Sequence, residues 1–368
     1  MDILVTGSKG FIGKNLVCEL RNRGFQVFEY DKDSKLSDLE LYTLNCDFVF
    51  HLAGVNRPKD KSEFMDGNFT FTDRLLSLLK KYNNKSPVLL TSSIQADYAN
   101  DYGRSKKAGE GLLFKYTKQT GVRTFVYRLP NVFGKWCKAN YNSAVATFCN
   151  NIANDLPITV DNEETRLNLV YIDDVINEFI SCIGNKSEIK DGILSIPVFY
   201  NKSLGEIVNL LYSFKNMRED LSLPNLSDGF EKKLYSTYLS YLPENKFSYP
   251  LNMNSDKRGS FTEFIRSENK GQVSINVAKP GITKGNHWHH TKNEKFLVVR
   301  GNASIKFRKV GTSDIVEYKV NGEKLEVVDI PVGYTHSITN IGTEDLVTVM
   351  WVNEPFDKNN PDTYYLEV

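Results

Sequence analysis

With 368 residues, 40% hydrophobic and 25% charged, the chain carries enough apolar material for two compact cores. Its formal net charge of +1 supplies no global field toward nucleic acid or an anionic membrane, so an anionic ligand needs a local site. No apolar run is long enough to span a bilayer, and residues 1–7 read as a buried strand running into a glycine turn, with neither a basic n-region nor a small-residue cleavage site. The five cysteines (Cys18, Cys46, Cys137, Cys149, Cys182) form no CxxC pair, which argues against a zinc knuckle or a disulfide framework and predicts a cytoplasmic protein with reduced thiols.

Along the first half, short apolar runs alternate with amphipathic stretches. Strands are predicted over 3–5, 26–30, 48–52, 88–90 and 123–129, with a helix over 12–23 after the first. The runs are nearly continuous in apolar residues, as in a parallel sheet covered on both faces, and their alternation with helices predicts a doubly wound α/β sheet. The stretch 242–258, rich in Pro, Asn, Ser and Lys, reads as a linker. Beyond it, strands over 272–277, 295–299, 303–308, 324–329 and 346–352, with glycine-bearing turns and no helix after Arg266, predict an all-β sandwich or barrel. The expected domains are 1–243, a linker 244–258, and 259–368.

Gly7-Ser8-Lys9-Gly10-Phe11-Ile12-Gly13 lies between the first strand and the first helix. Glycines there let the backbone turn sharply and approach a pyrophosphate, while the helix start presents unpaired N–H groups to it. The GxxGxxG spacing is that of short-chain reductases. Asp31 ends the second strand, where a carboxylate can bond a ribose 2′-OH and favour NADH; Lys32 and Lys35 stand close enough to take a 2′-phosphate instead.

Tyr102 and Lys106 are four apart, hence on one helix face, where the ammonium can depress the phenol pKa and make it a proton donor near neutral pH. Thr91-Ser92-Ser93 follows the strand over 88–90 and offers a hydroxyl for a reacting carbonyl: Ser93 is the first choice and Ser92 its competitor.

Together Gly7 to Gly13, His51-Leu52-Ala53-Gly54, Ser92-Ser93 and Tyr102-x-x-x-Lys106 resemble the extended short-chain dehydrogenase/reductases that act on nucleotide sugars, a Rossmann-like fold. The resemblance implies cofactor contacts at Gly7, Lys9, Gly10, Phe11, Ile12, Gly13, Asp31, Lys32, Leu52, Ala53 and Lys106. The segment 128–134 resembles that family's nucleotide-sugar segment and 171–175 its late signature. By the same resemblance Asn131 and Arg166 contact UDP phosphates, and a guanidinium fork suits a phosphate.

Gly281-x5-His287-x-His289-x4-Glu294-x6-Gly301 and Pro331-x-Gly333-x2-His336-x3-Asn340 match the two motifs of the cupins, a jelly-roll fold. Residues two apart on a strand face one side, so His287 and His289 can share an ion with Glu294 and His336. This donor set suits Zn²⁺, Fe²⁺, Mn²⁺ or Ni²⁺. His290 falls off that face. His290, Lys292 and Tyr334 are candidate bases, the first two expected at the surface.

Over nearly its whole length the chain resembles the CapF-type bifunctional enzymes of capsular polysaccharide synthesis. That resemblance implies a zinc-binding cupin that epimerises C3 of a UDP-4-keto-6-deoxy-L-hexosamine. It also implies reduction of C4 with NADPH, towards UDP-N-acetyl-L-fucosamine, by a homodimer. A monofunctional 4-keto-sugar reductase with a structural or dimerising cupin is the alternative.

Overall fold

Runs of β-branched and aromatic residues closed by turns form the strands of the first half, and leucine-rich amphipathic segments form its helices. The computed structural model describes residues 1–184, 192–251, 254–256, 259–261, 265, 271–354 and 359–368. In chain order come β1 (Asp2–Thr6), α1 (Phe11–Asn22), β2 (Gln26–Tyr30), α2 (Leu36–Asn45), β3 (Phe48–His51) and α3 (Ser62–Met65). A π-turn (Asp66–Thr70), α4 (Phe71–Lys81), β4 (Val88–Ser93), a 3-10 turn (Ile94–Asp97), α5 (Asp101–Thr120), β5 (Thr124–Leu129) and β6 (Asn131–Phe133) follow. Next are α6 (Ala144–Ala153), β7 (Arg166–Tyr171), α7 (Ile172–Ser181), β8 (Ile193–Leu194), β9 (Tyr200–Ser203), α8 (Leu204–Asp220) and α9 (Gly229–Leu239).

The chain divides into two compact units, Met1–Lys138 with Leu167–Asn201, and Ala139–Arg166 with Lys202–Val368. In the first, β2-β1-β3-β4-β5-β8 form one parallel sheet. Leu39, Leu75, Leu79, Leu113 and Tyr116, from α2, α4 and α5, cluster with Leu4, Val49, Val88 and Val126 of the strands. The chain steps from β1 to β2 on one side and then to β3 on the other. This leaves a crevice at the carboxyl ends of β1 and β3, where open α/β sheets bind their ligands. The expected Rossmann-like sheet is present.

The second unit holds α6, α8, α9 and a β-region: β10 (Ser248–Pro250), β11 (Asn254–Asp256), β12 (Gly259–Phe261), β13 (Gln272–Ala278), β14 (Thr283–Trp288) and β15 (Glu294–Arg300). It continues through β16 (Asn302–Lys309), β17 (Ile315–Asn321), β18 (Glu326–Ile330), β19 (Tyr334–Asn340), β20 (Leu346–Val352) and β21 (Tyr364–Tyr365). Two five-stranded sheets, β10-β18-β15-β20-β13 and β17-β16-β19-β14-β21, make the all-β cupin arrangement. Phe296, Ile305, Phe307, Val328, Ile330 and Ile338 are buried among them. No helix follows Arg266 among the described residues.

The region read as a linker is built into this unit. Phe247 and Leu251 are buried and β10 pairs with β18 (Ser248↔Val328), so two apolar anchors outweigh a polar composition; residues 252, 253, 257 and 258 lie outside the described residues. Likewise α8 and α9, which precede the expected boundary at 243, group with the sheets. Arg218 of α8 pairs with the buried Asp329 of β18, whose other oxygen takes Lys295 Nζ at 2.7 Å.

Replacing Asp329 by Ala leaves two buried cations without their carboxylate. Unfolding of the second unit in urea is therefore expected to show a loss of about 3–5 kcal/mol; an unchanged midpoint would mean that the cations find other partners.

Candidate active sites

The glycine loop is a close-packed corner of the first unit. Gly7 sits at φ +70° and donates its amide to Tyr30 O at 2.8 Å, while Gly10 donates to Gly7 O at 3.0 Å. A Cβ on Gly13 would stand 2.1 Å from Gly7 O, and one on Gly7 would stand 2.8 Å from the Ala53 amide nitrogen. Only glycine lets α1 approach the loop, and the loop approach the Leu52-Ala53 segment after β3. The N-terminus of α1, with Phe11 and Ile12 in its first turn, has no side-chain cap and no acidic residue there. Its N–H groups thus remain available to an anion.

Asp31 is engaged with backbone. One carboxylate oxygen accepts the Lys9 amide at 2.9 Å and the other the Lys32 amide at 2.8 Å, tying the glycine loop to the end of β2. Lys9 Nζ lies 3.4 Å from Asp33. Lys35 N-caps α2 and donates its amide to Asp38 at 3.1 Å.

Helix α5 carries Tyr102, Lys106 and Glu110 one turn apart, and the Asn100 side chain caps it through the Gly103 amide at 2.7 Å. Ser93, at the end of β4, stands near enough to the Tyr102 phenol to act against the rise in its pKa. Ser92 instead donates to buried Glu110, which also holds the Nε and Nη2 of Arg128 at 2.8 and 2.7 Å. The structure thus separates the two candidates: Ser93 faces the tyrosine, and Ser92 belongs to a packed ion pair.

Lys106 is buried and donates to Thr91 O at 2.7 Å, and burial brings its pKa down to about 8. The expectation that Lys106 depresses the Tyr102 pKa is corrected here. Burial raises the phenol, and the opposing influence on it is Ser93. A phenol holds its proton at neutral pH with or without this rise, which makes Tyr102 a weaker acid rather than a readier donor.

Sequence reasoning assigned no role to a hydrogen-bond chain beneath this site. Thr72 donates to Asn68 O at 2.7 Å, so its oxygen accepts from His51 Nε2 at 2.8 Å. His51 Nδ1 is then the acceptor for Thr6 at 2.7 Å, and Thr6 in turn accepts the Ala53 amide at 3.3 Å. Burial first, and then the Lys106 charge, hold the His51 pKa down at about 3, so the ring is neutral. Asn68, on the π-turn, bonds both Val55 backbone groups at 3.0 Å and Ser105 at 3.0 Å. The four-residue spacing of Lys106 and Glu110 was visible in the sequence, whereas the threonines carried no signal.

Asn131 is exposed on β6, with its amide 3.4 Å from Asn168 O, and Arg166 begins β7, half exposed and 3.3 Å from Glu206.

In the second unit His287, His289, Glu294 and His336 each offer a ligand atom, all within 4.8 Å of one another. The β14 ladder slips on β19 between Gly285 and His287, a bulge that re-aims His287. Glu294 Oε2 lies 3.2 Å from His336 Nε2 and 3.6 Å from His289 Nε2. His289 Nδ1 meets Asp362 O at 2.5 Å; a carbonyl only accepts, so Nδ1 carries the proton and Nε2 a lone pair.

Burial, reinforced by its histidine neighbours, lowers His287 to about 4 and leaves a free lone pair at neutral pH. Burial likewise lowers His336. It would raise Glu294, but His289 and His336 outweigh it and hold that carboxyl well below its usual range. Glu294 Oε2, His289 Nε2 and both His336 ring nitrogens are buried without a hydrogen-bond partner among the described residues. Buried polar atoms without partners are costly, and a divalent cation would satisfy Glu294 Oε2, His289 Nε2 and one of the His336 nitrogens together.

His290 and Lys292, expected at the surface, are buried. His290 stacks edge-on between Trp288 and Tyr364, off the ligand cluster, and Lys292 Nζ donates to Pro361 O. Their C-terminal partners lie some seventy residues away in the chain, beyond the reach of local pattern. Tyr334 is buried on the same face of β19 as His336, 3.4 Å from Glu244 Oε1.

Placing Ala at Gly13 forces the loop and α1 apart. A displacement on the order of an ångström at a positioned site costs about 100-fold, and a loss of that size is expected in nicotinamide dinucleotide affinity by fluorescence titration. Wild-type affinity would remove the loop from the cofactor site.

Residues 3–196 match the NAD dependent epimerase/dehydratase family, and residues 254–364 match the Polysaccharide biosynthesis C-terminal domain. A curated relative from Pseudomonas aeruginosa PA103, UDP-2-acetamido-2,6-beta-L-arabino-hexul-4-ose reductase, is 45% identical, covering 100% of this chain and 99% of its own. The crystal structure of the capsular polysaccharide assembling protein CapF from Staphylococcus aureus is 54% identical, with a TM-score of 0.69 and full coverage of both chains. UDP-glucuronic acid 4-epimerase from Bacillus cereus, solved with NAD, shares the fold alone, at 21% identity and TM-score 0.53 over 59% of this chain and 83% of its own. The chain therefore belongs to the NAD dependent epimerase/dehydratase family and, over its whole length, to the CapF type, in which an extended short-chain reductase precedes a cupin.

Proposed function

We propose that the first unit reduces the C4 ketone of a UDP-linked 4-keto-6-deoxy amino sugar, of the UDP-2-acetamido-2,6-dideoxy-L-arabino-hexos-4-ulose type, with NADPH. We propose further that the cupin epimerises C3 of the same ketone, that its ion is zinc, and that the product leads towards UDP-N-acetyl-L-fucosamine for a capsular or O-antigen polysaccharide. The observation that supports the reduction is Tyr102 one helical turn from the buried Lys106 on α5, with the Lys106 ammonium on Thr91 O and Ser93 at the end of the same strand. The activity named for the Pseudomonas relative supports the same substrate class.

In this reading the nicotinamide, when bound, supplies hydride to C4. Tyr102 gives its proton to O4, and Ser93 donates a hydrogen bond to the same oxygen. Lys106, with one N–H on Thr91 O, has two left for the nicotinamide ribose. The glycine loop and the α1 N-terminus take the pyrophosphate. Because Asp31 is engaged by the Lys9 and Lys32 amides, the ammonium groups of Lys9 and Lys32 are read as the partners of a 2′-phosphate, which favours NADPH over NADH. Asn131 and Arg166 are read as UDP phosphate contacts.

The C4 carbonyl also acidifies the hydrogen on C3, which the same ketone offers to the cupin. A divalent ion held by His287, His289, Glu294 and His336 would supply positive charge for that carbonyl oxygen. A base of the cupin takes the C3 proton and passes it to solvent, and Tyr334, which burial and then Glu244 hold protonated, is the candidate donor that returns a solvent-derived proton on the other face. The working form is a homodimer, on the resemblance to the CapF type.

Product NMR with a Tyr102 variant, and then the pH profile, test the scheme. NMR of the product formed from the keto-sugar nucleotide with NADPH in D₂O is expected to show reduction at C4 and deuterium at C3. Replacing Tyr102 by Phe is expected to lower reduction by about 10²–10⁴-fold. Reduction without deuterium would leave a monofunctional reductase, and no turnover would remove the proposal altogether. The second is the pH profile. Lys106 is charged below about pH 8 and neutral above it, so the reduction rate is expected to fall as pH rises through about 8. A flat profile to pH 9 would separate that charge from the chemistry.

A further inference from the structure

We infer that the C-terminal segment 359–368 is a built part of the metal centre, and that Asp362 is the positioning residue that fixes the ligand His289; the inference rests on the metal reading of the cluster given above.

The main-chain oxygen of Asp362 receives His289 Nδ1–H, which sets both the ring plane and the tautomer that leaves Nε2 to the cluster. Its carboxylate grips the turn between His289 and Glu294: Oδ1 accepts the His290 amide at 3.0 Å. Oδ2 accepts the Thr291 amide at 2.9 Å, the Thr291 hydroxyl at 3.1 Å and the Lys292 amide at 2.8 Å. One residue therefore holds the stretch that carries two of the four ligands. Asp362 does this at φ +39°, a backbone state that a side chain bearing Cβ adopts only where its surroundings impose it.

The rest of the segment reaches the other two ligands. β21 pairs with β14, setting Tyr365 opposite His287 and Tyr364 opposite Trp288, and the Leu366 amide donates to Asn286 O, inside the β14 bulge, at 2.9 Å. Thr335, next to His336, donates its hydroxyl to Leu366 O. The last strand thus closes the open edge of the sheet at the point where the ligands converge. Outer partners of this kind orient a ligand without touching the ion, and their loss costs metal affinity about 10- to 100-fold.

The test is zinc competition against a chromophoric chelator, using full-length wild type, Asp362→Ala and Asp362→Asn, together with the visible spectrum of each protein loaded with Co²⁺. Asp362→Ala is expected to weaken zinc about 10- to 100-fold and to shift the cobalt bands, because without the carboxylate on the 290–292 turn the main-chain oxygen at 362 is no longer held against His289. Asp362→Asn, which keeps one accepting oxygen, is expected to recover part of the affinity and the wild-type spectrum; it also carries the test should the alanine variant not fold. If wild type binds zinc and both variants match it in affinity and spectrum, the inference is overturned while the metal reading stands. If wild type binds no zinc, the metal reading itself has failed, and the inference falls with it.

Discussion

A polar group removed from water must find a partner, and this constraint organises both units of the protein. In the first, Lys106 is buried against the Thr91 carbonyl, and Glu110 is buried against Arg128 and Ser92. In the second, Asp329 is buried between Arg218 and Lys295. Each burial is tolerable because the partner comes from a separate element, so the same contacts that solvate these groups also lock the elements together. The histidine–glutamate cluster leaves several such atoms without partners among the described residues, and its converging donors suit a cation.

In the first unit this constraint separates structural hydroxyls from chemical ones. Ser92 and Ser93 are neighbours on one strand, so their side chains point to opposite faces. One is consumed by a buried carboxylate, and the other meets the Tyr102 phenol. The neutral His51, held by a threonine on each ring nitrogen, extends the same order beneath the site. With donors and acceptors paired in one consistent direction, the ring holds a single tautomer close to Lys106 without adding a second charge.

A single ketone gives the proposed reaction its economy. A C4 carbonyl both accepts hydride and loosens the hydrogen on C3, so one functional group is the handle for two chemistries that need different surroundings. Hydride acceptance calls for a neutral proton donor, which a phenol such as Tyr102 is at neutral pH. Proton removal beside a carbonyl calls for positive charge near oxygen, and the imidazole–carboxylate cluster suits an ion that supplies it. Fusion of a short-chain reductase to a cupin brings both kinds of surroundings into one chain.

Much of this was legible in residue order alone. Hydrophobic run length separated the parallel sheet from the antiparallel one, because strands buried on both faces read as continuous apolar runs. Spacing singled out Gly7 to Gly13, Tyr102 with Lys106, and the four metal-ligand candidates, because the first two sets are local to one turn or one helix face and the last falls into two motifs of fixed spacing. Chain order alone could not choose between Ser92 and Ser93, nor reveal that Asp31 turns toward the glycine loop rather than outward. It read 242–258 as a linker and missed the burial of Phe247 and Leu251. The sequence by itself therefore determined most of the elements and the family to which their motifs belong, since periodicity and spacing are properties of neighbours along the chain. The tertiary structure alone decided which hydroxyl meets the phenol, which groups lose their water, and that Asp362 meets His289 across 73 residues, because long-range pairing leaves no local trace.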